Sequence, residues 1–162
     1  SRMEALGKGF VEADVPGAVT HGDAHGGNLF VDAKGRISLI DLETAMESVG
    51  RDGRGTNSPL LDVGRFTESL RMDNSVKGLK LEGGEVQAIQ KAFLDAYAAK
   101  TGIEPAAMKA HLEYFQARLS VTGLKYAKTA ESFQKIADYA ASGLGSAGPA
   151  AAPKPAAAER QR

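Results

Sequence analysis

Residues 21–28 read His-Gly-Asp-Ala-His-Gly-Gly-Asn, and the apolar run Leu-Phe-Val follows directly at 29–31. Two histidines, one aspartate and one asparagine therefore stand within eight residues, separated mostly by glycine. Such a segment is typical of a glycine-rich turn before a strand. It is equally typical of a loop that holds reactive side chains. The sequence on either side of it distinguishes the two interpretations.

A β-hairpin is predicted directly after this polar segment. Residues 29–32 and 36–41 are short apolar runs, and Ala-Lys-Gly at 33–35 is a turn between them. The second run ends in Ile40 and Asp41. Because a hairpin brings its two outer ends together, we expect Asp41 to lie close to the polar segment.

Three further elements are predicted in the first part of the chain. Residues 2–13 have the apolar spacing of a helix, which Pro16 and Gly17 end. Residues 18–21 are predicted as a short strand that leads into the polar segment. Residues 42–58 are rich in glycine and charge and are longer than most connections, so we expect this loop to be either functional or mobile.

Helical patterns dominate the sequence after Pro59. Ser58 is a candidate N-cap for the first of these helices, with Pro59 at its first position. Further helices are predicted at 84–100, 105–127 and 129–141. Short strands followed by helices predict an α+β fold with a helical majority. Residues 1–144 are assigned to one domain, and residues 145–162, rich in alanine and proline, to a disordered tail.

The composition limits the classes of function. Lys+Arg and Asp+Glu are both 20, so the balance of charge gives no support to a nucleic-acid partner or an anionic membrane. The chain has no cysteine, which excludes thiolate chemistry and disulfides. No apolar stretch approaches the length of a membrane span, and no signal segment opens the chain. We expect a soluble, cytoplasmic protein.

Three oxygen-bearing side chains in this region are suited to phosphate chemistry. Asn28 and Asp41, brought together by the hairpin, form an all-oxygen pair of the kind that binds Mg²⁺. Magnesium in turn favours phosphate oxygens. Asp23 then remains as a base that accepts the proton of an attacking hydroxyl.

The segment 21–45 closely resembles the catalytic segment of the aminoglycoside phosphotransferase and choline kinase group of kinase-like enzymes. The family pattern is His-Gly-Asp-x-His-x-x-Asn, a short hairpin and then Ile-Asp-x-Glu, and the spacing from His21 to Asp41 fits it without insertion. The resemblance implies transfer of a phosphoryl group from ATP to the hydroxyl of a small molecule. It implies Asp23 as the catalytic base and Asn28 and Asp41 as the magnesium ligands.

The resemblance also implies supporting residues around that set. His21 would brace the catalytic loop, and Asp62 would anchor the same loop through backbone amides. His25 is a substrate or ligand contact, or else a structural histidine. Glu43 contacts a second metal ion or caps a turn. His111, in the helical region, is expected to be structural or exposed.

The family's N-terminal β lobe has no counterpart in this sequence. A glycine-rich hairpin over the phosphates and an early strand lysine are absent, and Gly7-Lys-Gly9 stands too close to the catalytic loop to serve. The resemblance therefore covers a C-terminal lobe alone. The missing lobe would come from the same protein or from another chain, or else the protein is a reduced relative of the family. The acceptor alcohol is not specified by the motif.

Two other classes of function fit part of the pattern. The segment Gly-Asp-Ala-His-Gly faintly resembles metallophosphoesterase motifs, but those enzymes need more metal-binding histidines than the three in this chain. The absent phosphate-binding lobe favours a non-catalytic kinase-like binding module or an inactive fragment. Retention of Asp23, Asn28 and Asp41 together argues against such a loss of function.

Overall fold

The computed structural model describes residues 2–74, 80–82 and 84–145. Within them lie the helices α1 (Arg2–Glu12), α2 (Leu60–Met72), α3 (Glu85–Thr101), α4 (Pro105–Thr122) and α5 (Ala130–Gly145). The strands β1 (Leu29–Val31) and β2 (Ile37–Leu39) form an antiparallel pair. Short 3-10 turns cover Gly26–Asn28, Ala45–Ser48 and Gly123–Tyr126. The predicted α+β class with a helical majority is confirmed.

The predicted hairpin is confirmed, with strands shorter than expected. Leu29 pairs with Leu39 and Val31 with Ile37. The Asp32 carboxylate closes the turn, because it accepts the N–H of Arg36 and bonds its guanidinium. Both surfaces of this small sheet are open to solvent.

The core lies where α2 packs against α4. Leu60 and Val63 of α2 meet Leu112 and Phe115 of α4, and all four side chains are buried. Phe10 of α1 covers this cluster and stacks on Tyr114 at 4.6 Å between ring centroids. Burial of each large apolar side chain contributes about 1.5–3 kcal/mol to folding. Helix α2, which follows the loop at 42–58, is therefore held in place by this core.

His111 is a structural residue in the core, which agrees with the first of its two predicted settings. It is 4% exposed, and its Nε2 lies 3.1 Å from the carbonyl oxygen of Ala13. Its Nδ1 lies 2.8 Å from the hydroxyl of Ser58. The ring thus joins α4 to the segment after α1 and to the start of α2.

A buried polar cluster fastens α5 to α2. The hydroxyl of Tyr139 donates to Oε1 of Glu68 at 2.6 Å, and Glu68 is only 2% exposed. Arg71 donates to both carboxylate oxygens of Glu68 and lies over the Tyr139 ring. Burial and the neighbouring Glu68 carboxylate raise the pKa of Tyr139 well above its ordinary value.

We expect Tyr139→Phe to lower the free energy of unfolding by about 1–2 kcal/mol, since a hydrogen bond to a buried carboxylate is lost. Urea denaturation at pH 7 measures this effect. Above pH about 10 the unfolded chain releases the Tyr139 proton while the folded chain retains it, so wild-type stability falls and the difference between the proteins shrinks. Tyr126→Phe, at an exposed position, is the control. An equal effect of the two substitutions would contradict the role of Tyr139.

Several element boundaries differ from the predictions. The predicted strand at 18–21 is wrong in extent: the backbone makes a single bridge, from Ala18 to Asn57. Helix α2 begins at Leu60 rather than at Pro59, and the Ser58 hydroxyl accepts the Leu60 N–H at 3.2 Å. The predicted helix 105–127 ends at Thr122 and continues as a 3-10 turn. From residue 146 onward the predicted tail lies outside the described residues.

None of the helices in the described part of the chain is both long enough and apolar enough to cross a membrane.

Candidate active site

The backbone at the start of the polar segment is held by one carboxylate of α2. Asp62 accepts the N–H of His21 at 2.7 Å through Oδ2 and the N–H of Gly22 at 2.8 Å through Oδ1. This is the anchoring contact that the resemblance implies for Asp62. Gly22 has φ +82, and a Cβ there would lie 2.6 Å from the Thr44 hydroxyl oxygen. The sharp turn before Asp23 therefore requires glycine.

His21 ties the same loop to the end of the hairpin. Its Nε2 lies 2.7 Å from the carbonyl oxygen of Ile40, and its Nδ1 accepts the N–H of Asp23 at 3.3 Å. Because Nδ1 is an acceptor, the ring proton is assigned to Nε2, which donates to Ile40. The side chain is 6% exposed. His21 thus occupies the bracing position expected of it.

The long loop at 42–58 is a second brace for the polar segment. Thr44 donates its hydroxyl to the carbonyl oxygen of His21 at 2.5 Å. The buried Ser48 hydroxyl accepts the Thr20 N–H at 2.9 Å. Asn57 donates its side-chain amide to the Thr20 hydroxyl at 3.2 Å. Of the two predicted alternatives, a functional or a mobile loop, these contacts favour the first, because they position the polar segment.

Gly55 lets this brace approach the chain before the polar segment. A Cβ on Gly55 would lie 1.9 Å from the carbonyl carbon of Ala18 and 2.1 Å from the nitrogen of Val19. The two backbones are in direct contact, so no side chain fits at position 55. The glycine-rich composition of the loop is explained in part by this contact.

The backbone brings Asp41 next to the polar segment at the open end of the hairpin. The N–H of Ile40 donates to the carbonyl oxygen of Asn28 at 3.1 Å, which places Asn28 opposite the residue before Asp41. The side-chain nitrogen of Asn28 donates to the carbonyl oxygen of Asp23 at 3.1 Å. The amide oxygen of Asn28 is then the side-chain atom suited to a cation.

Asp41 presents an exposed carboxylate from an unusual backbone conformation. Its φ is +64, in the left-handed region that side chains rarely adopt. Together with the Asn28 amide oxygen it offers hard oxygen ligands, which fit Mg²⁺ better than a transition metal. Across the described ranges, no group of three or more histidine, aspartate or glutamate side chains is arranged to hold a metal ion. A magnesium ion held by Asn28 and Asp41 would have to take its remaining ligands from water or phosphate oxygens.

Asp23 lies between two basic side chains. Its Oδ1 is 2.5 Å from Nη2 of Arg65, and its Oδ2 is 3.5 Å from Nε2 of His25. Arg65 was not predicted as a site residue. It stands three residues after Asp62 on α2, so the two side chains share one face of the helix. That spacing was the available signal: one helix face holds both the backbone and the carboxylate of the loop.

His25 and Glu43 have different surroundings. The Nδ1 of His25 accepts the N–H of Gly27 at 3.0 Å and so caps the 3-10 turn. Its other ring nitrogen faces Asp23, and the residue lines a cavity. The cap to Gly27 is a structural role, and a contact of His25 with substrate stays a prediction. Glu43 is exposed, two residues beyond Asp41.

A cavity of about 410 Å³ opens beside Asp23, within the size range of small-molecule sites. Residues of the polar segment and of α2, α4, its following turn and α5 line it: Asp23, His25, Arg65, Glu68, Ser69, Met72, Asp73, Leu119, Gly123, Tyr126 and Ile136.

Comparison with protein-family models, with curated proteins and with solved structures gave no match to this chain.

Proposed function

We propose that this chain is the catalytic-loop lobe of an ATP- and Mg²⁺-dependent phosphotransferase of the kinase-like fold. The reaction would transfer a phosphoryl group to a hydroxyl of a small molecule, in the cytoplasm. Asp23 orients the acceptor hydroxyl and accepts its proton. Catalysis in this class rests on positioning and on stabilisation of charge.

One observation carries this proposal: the backbone N–H groups of His21 and Gly22 both donate to the Asp62 carboxylate. The Asp62 carboxylate comes from α2, 40 residues after Gly22, and it fixes the two backbone amides that directly precede Asp23. The contact holds the backbone next to Asp23, and the carboxylate of Asp23 then borders the cavity. The loop is therefore built to present one carboxylate in one place.

The remaining roles follow from the positions of the oxygens. Asn28 and Asp41 would hold Mg²⁺, which neutralises phosphate charge when bound. Arg65 holds Oδ1 of Asp23 and leaves Oδ2, beside His25, to meet the acceptor hydroxyl. His21 keeps the loop and the hairpin end in one register through Ile40.

The hairpin surface supports the proposal that a second lobe completes the enzyme. Phe30, Val31 and Ile37 are 57%, 67% and 66% exposed, and Leu39 and Ile40 are also exposed. An apolar patch of neighbouring residues is typical of a surface that another folded unit covers. We propose that the unit is the phosphate-binding lobe, from the same protein or from another chain.

Two alternatives have different support. A metallophosphoesterase would need further histidine ligands, and His111 is committed to Ser58 and Ala13 in the core. A non-catalytic binding module is favoured by one contact, the ion pair between Arg65 and Asp23, because it engages one oxygen of the candidate base. The effect of Asp23 on turnover separates this second candidate from the enzyme.

The cation site is tested by titration of the isotope-labelled protein with ATP and Mn²⁺, a paramagnetic substitute for Mg²⁺. We expect the amide signals of Asn28 and Asp41 to broaden only when ATP and Mn²⁺ are added together. Asp41→Asn should weaken the effect by about tenfold or more, because a carboxylate ligand is lost. Asp32→Asn is the matched control, since Asp32 lies at the turn end of the same hairpin.

Broadening that appears equally at Asp32, or that survives Asp41→Asn unchanged, would contradict the proposed ligands. The absence of any binding would contradict nucleotide binding by this lobe.

A further inference from the structure

The cavity beside Asp23 runs along one face of α2. Arg65, Glu68, Ser69, Met72 and Asp73 line it, at spacings of three and four residues. Eight residues of helix correspond to about 12 Å at 1.5 Å per residue. The cavity therefore extends from the loop with the candidate base to the end of the helix, and its two ends differ in chemistry.

The end near the loop is polar and the inner part is apolar. The polar end is lined by Asp23, His25 and Arg65. In the apolar inner part, a Cβ on Gly123 would lie 3.2 Å from Sδ of Met72 and 3.4 Å from Cγ2 of Ile136. The three residues thus close the cavity tightly around apolar atoms. A ligand in this space presents a polar group to Asp23 and an apolar group to the inner wall.

The charges of the lining disfavour an anionic ligand. Asp23, Glu68 and Asp73 bring three carboxylates to the cavity. Arg65 is bonded to Asp23, and Arg71, the next cation along α2, is bonded to Glu68. A carboxylate or phosphate of the ligand would therefore have to share each guanidinium with a carboxylate that is already bound to it.

We propose that this cavity binds the acceptor, and that the acceptor is a compact alcohol with an apolar body and no negative charge. The proposal rests on the phosphotransferase function and adds the class of its substrate. The hydroxyl lies at Asp23, and the body lies against Met72, Leu119 and Ile136. A water molecule takes up about 30 Å³ in the liquid. If each non-hydrogen atom of the ligand takes the same volume, the cavity of about 410 Å³ holds about fourteen such atoms.

The test is a binding experiment without nucleotide or metal, so its outcome is independent of phosphoryl transfer. Three probes are titrated into methyl-labelled protein: 2-phenylethanol, its matched acid phenylacetate, and the polyol inositol. We expect 2-phenylethanol to shift the methyl signals of Met72, Leu119 and Ile136. Its affinity should exceed that of either other probe by about tenfold or more, because the acid brings a charge and the polyol lacks an apolar body.

Two variants locate the binding. Ser69→Leu fills the cavity and should weaken 2-phenylethanol binding by about fivefold or more, because the ligand and the new side chain compete for the same volume. Ser142→Leu is the matched control: both serine hydroxyls bond the carbonyl three residues earlier, and Ser142 is exposed outside the cavity. It should leave binding unchanged.

Equal or tighter binding of phenylacetate or inositol would overturn the proposal, as would the absence of 2-phenylethanol binding. Binding that is insensitive to Ser69→Leu would overturn the location. If Ser69→Leu fails to fold, the comparison of the three probes on the wild-type chain decides the outcome. Selective binding of 2-phenylethanol without ATP-dependent transfer in the complete protein would contradict the proposed function and leave the ligand class standing.

Discussion

Replacement of Asp23 by alanine in the complete protein should abolish the proposed phosphoryl transfer, with kcat reduced by about 10³-fold or more, since the proposed base for the hydroxyl proton is removed. The fold should be retained, because the loop is held by its backbone through Asp62 and not by the Asp23 carboxylate. ADP release with a panel of small alcohols measures the reaction. Nucleotide binding should be largely unchanged.

Asp95→Ala is the control for Asp23→Ala. Asp95 also pairs with one basic side chain, Lys91, but it is exposed on α3. It should leave turnover unaltered. Retained turnover in Asp23→Ala would remove Asp23 from the mechanism and favour the non-catalytic alternative. For the isolated chain we expect weak or absent ATP turnover, and robust activity there would show that no second lobe is needed.

Replacement of Asp62 by alanine should lower the free energy of unfolding by about 2–4 kcal/mol, because two backbone N–H groups lose a charged acceptor together. The carboxylate also stands in the first turn of α2, where a negative charge stabilises the helix by about 0.3–1 kcal/mol. Asp62→Asn, which keeps one oxygen, should give a smaller loss. Urea denaturation followed by circular dichroism measures all three proteins.

Substitution of an exposed aspartate is the control for the loss of unfolding free energy in Asp62→Ala. Asp95→Ala removes an exposed ion pair and should cost less than about 0.5 kcal/mol. If Asp62→Ala and Asp95→Ala are indistinguishable, the bonds to His21 and Gly22 do not stabilise the protein. The amide signals of those two residues should shift in Asp62→Ala and remain in place in Asp95→Ala, which separates loss of the loop contact from a general loss of helix.

The elements that were predicted well are those with a local cause. The hairpin follows from two apolar runs around Lys34-Gly35, and α3 follows from apolar spacing ended at Gly102. The strand at 18–21 was overestimated because, among the described residues, its backbone pairing is a single bridge from Ala18 to Asn57. Pairing with a distant single residue leaves no periodic signal in the sequence.

The candidate site was predictable where the chain itself brings residues together. The hairpin joins Asn28 to the neighbourhood of Asp41, and the motif spacing encodes that approach. The bond from Arg65 to Asp23 spans 42 residues, and that from Tyr139 to Glu68 spans 71. Such contacts depend on how α2 and α5 pack, which residue patterns do not specify.

The left-handed conformation of Asp41 lowers the stability of the fold at the residue whose carboxylate is proposed to bind the metal ion. A side chain in this region costs about 1–2 kcal/mol relative to ordinary backbone, and glycine avoids most of that cost. A redesign of this protein guided by thermal stability alone would select glycine at position 41. The more robust chain would then lack the carboxylate at the open end of the hairpin. Efforts to make this protein easier to handle should therefore keep Asp41 fixed and gain stability elsewhere, for example on exposed faces of α3.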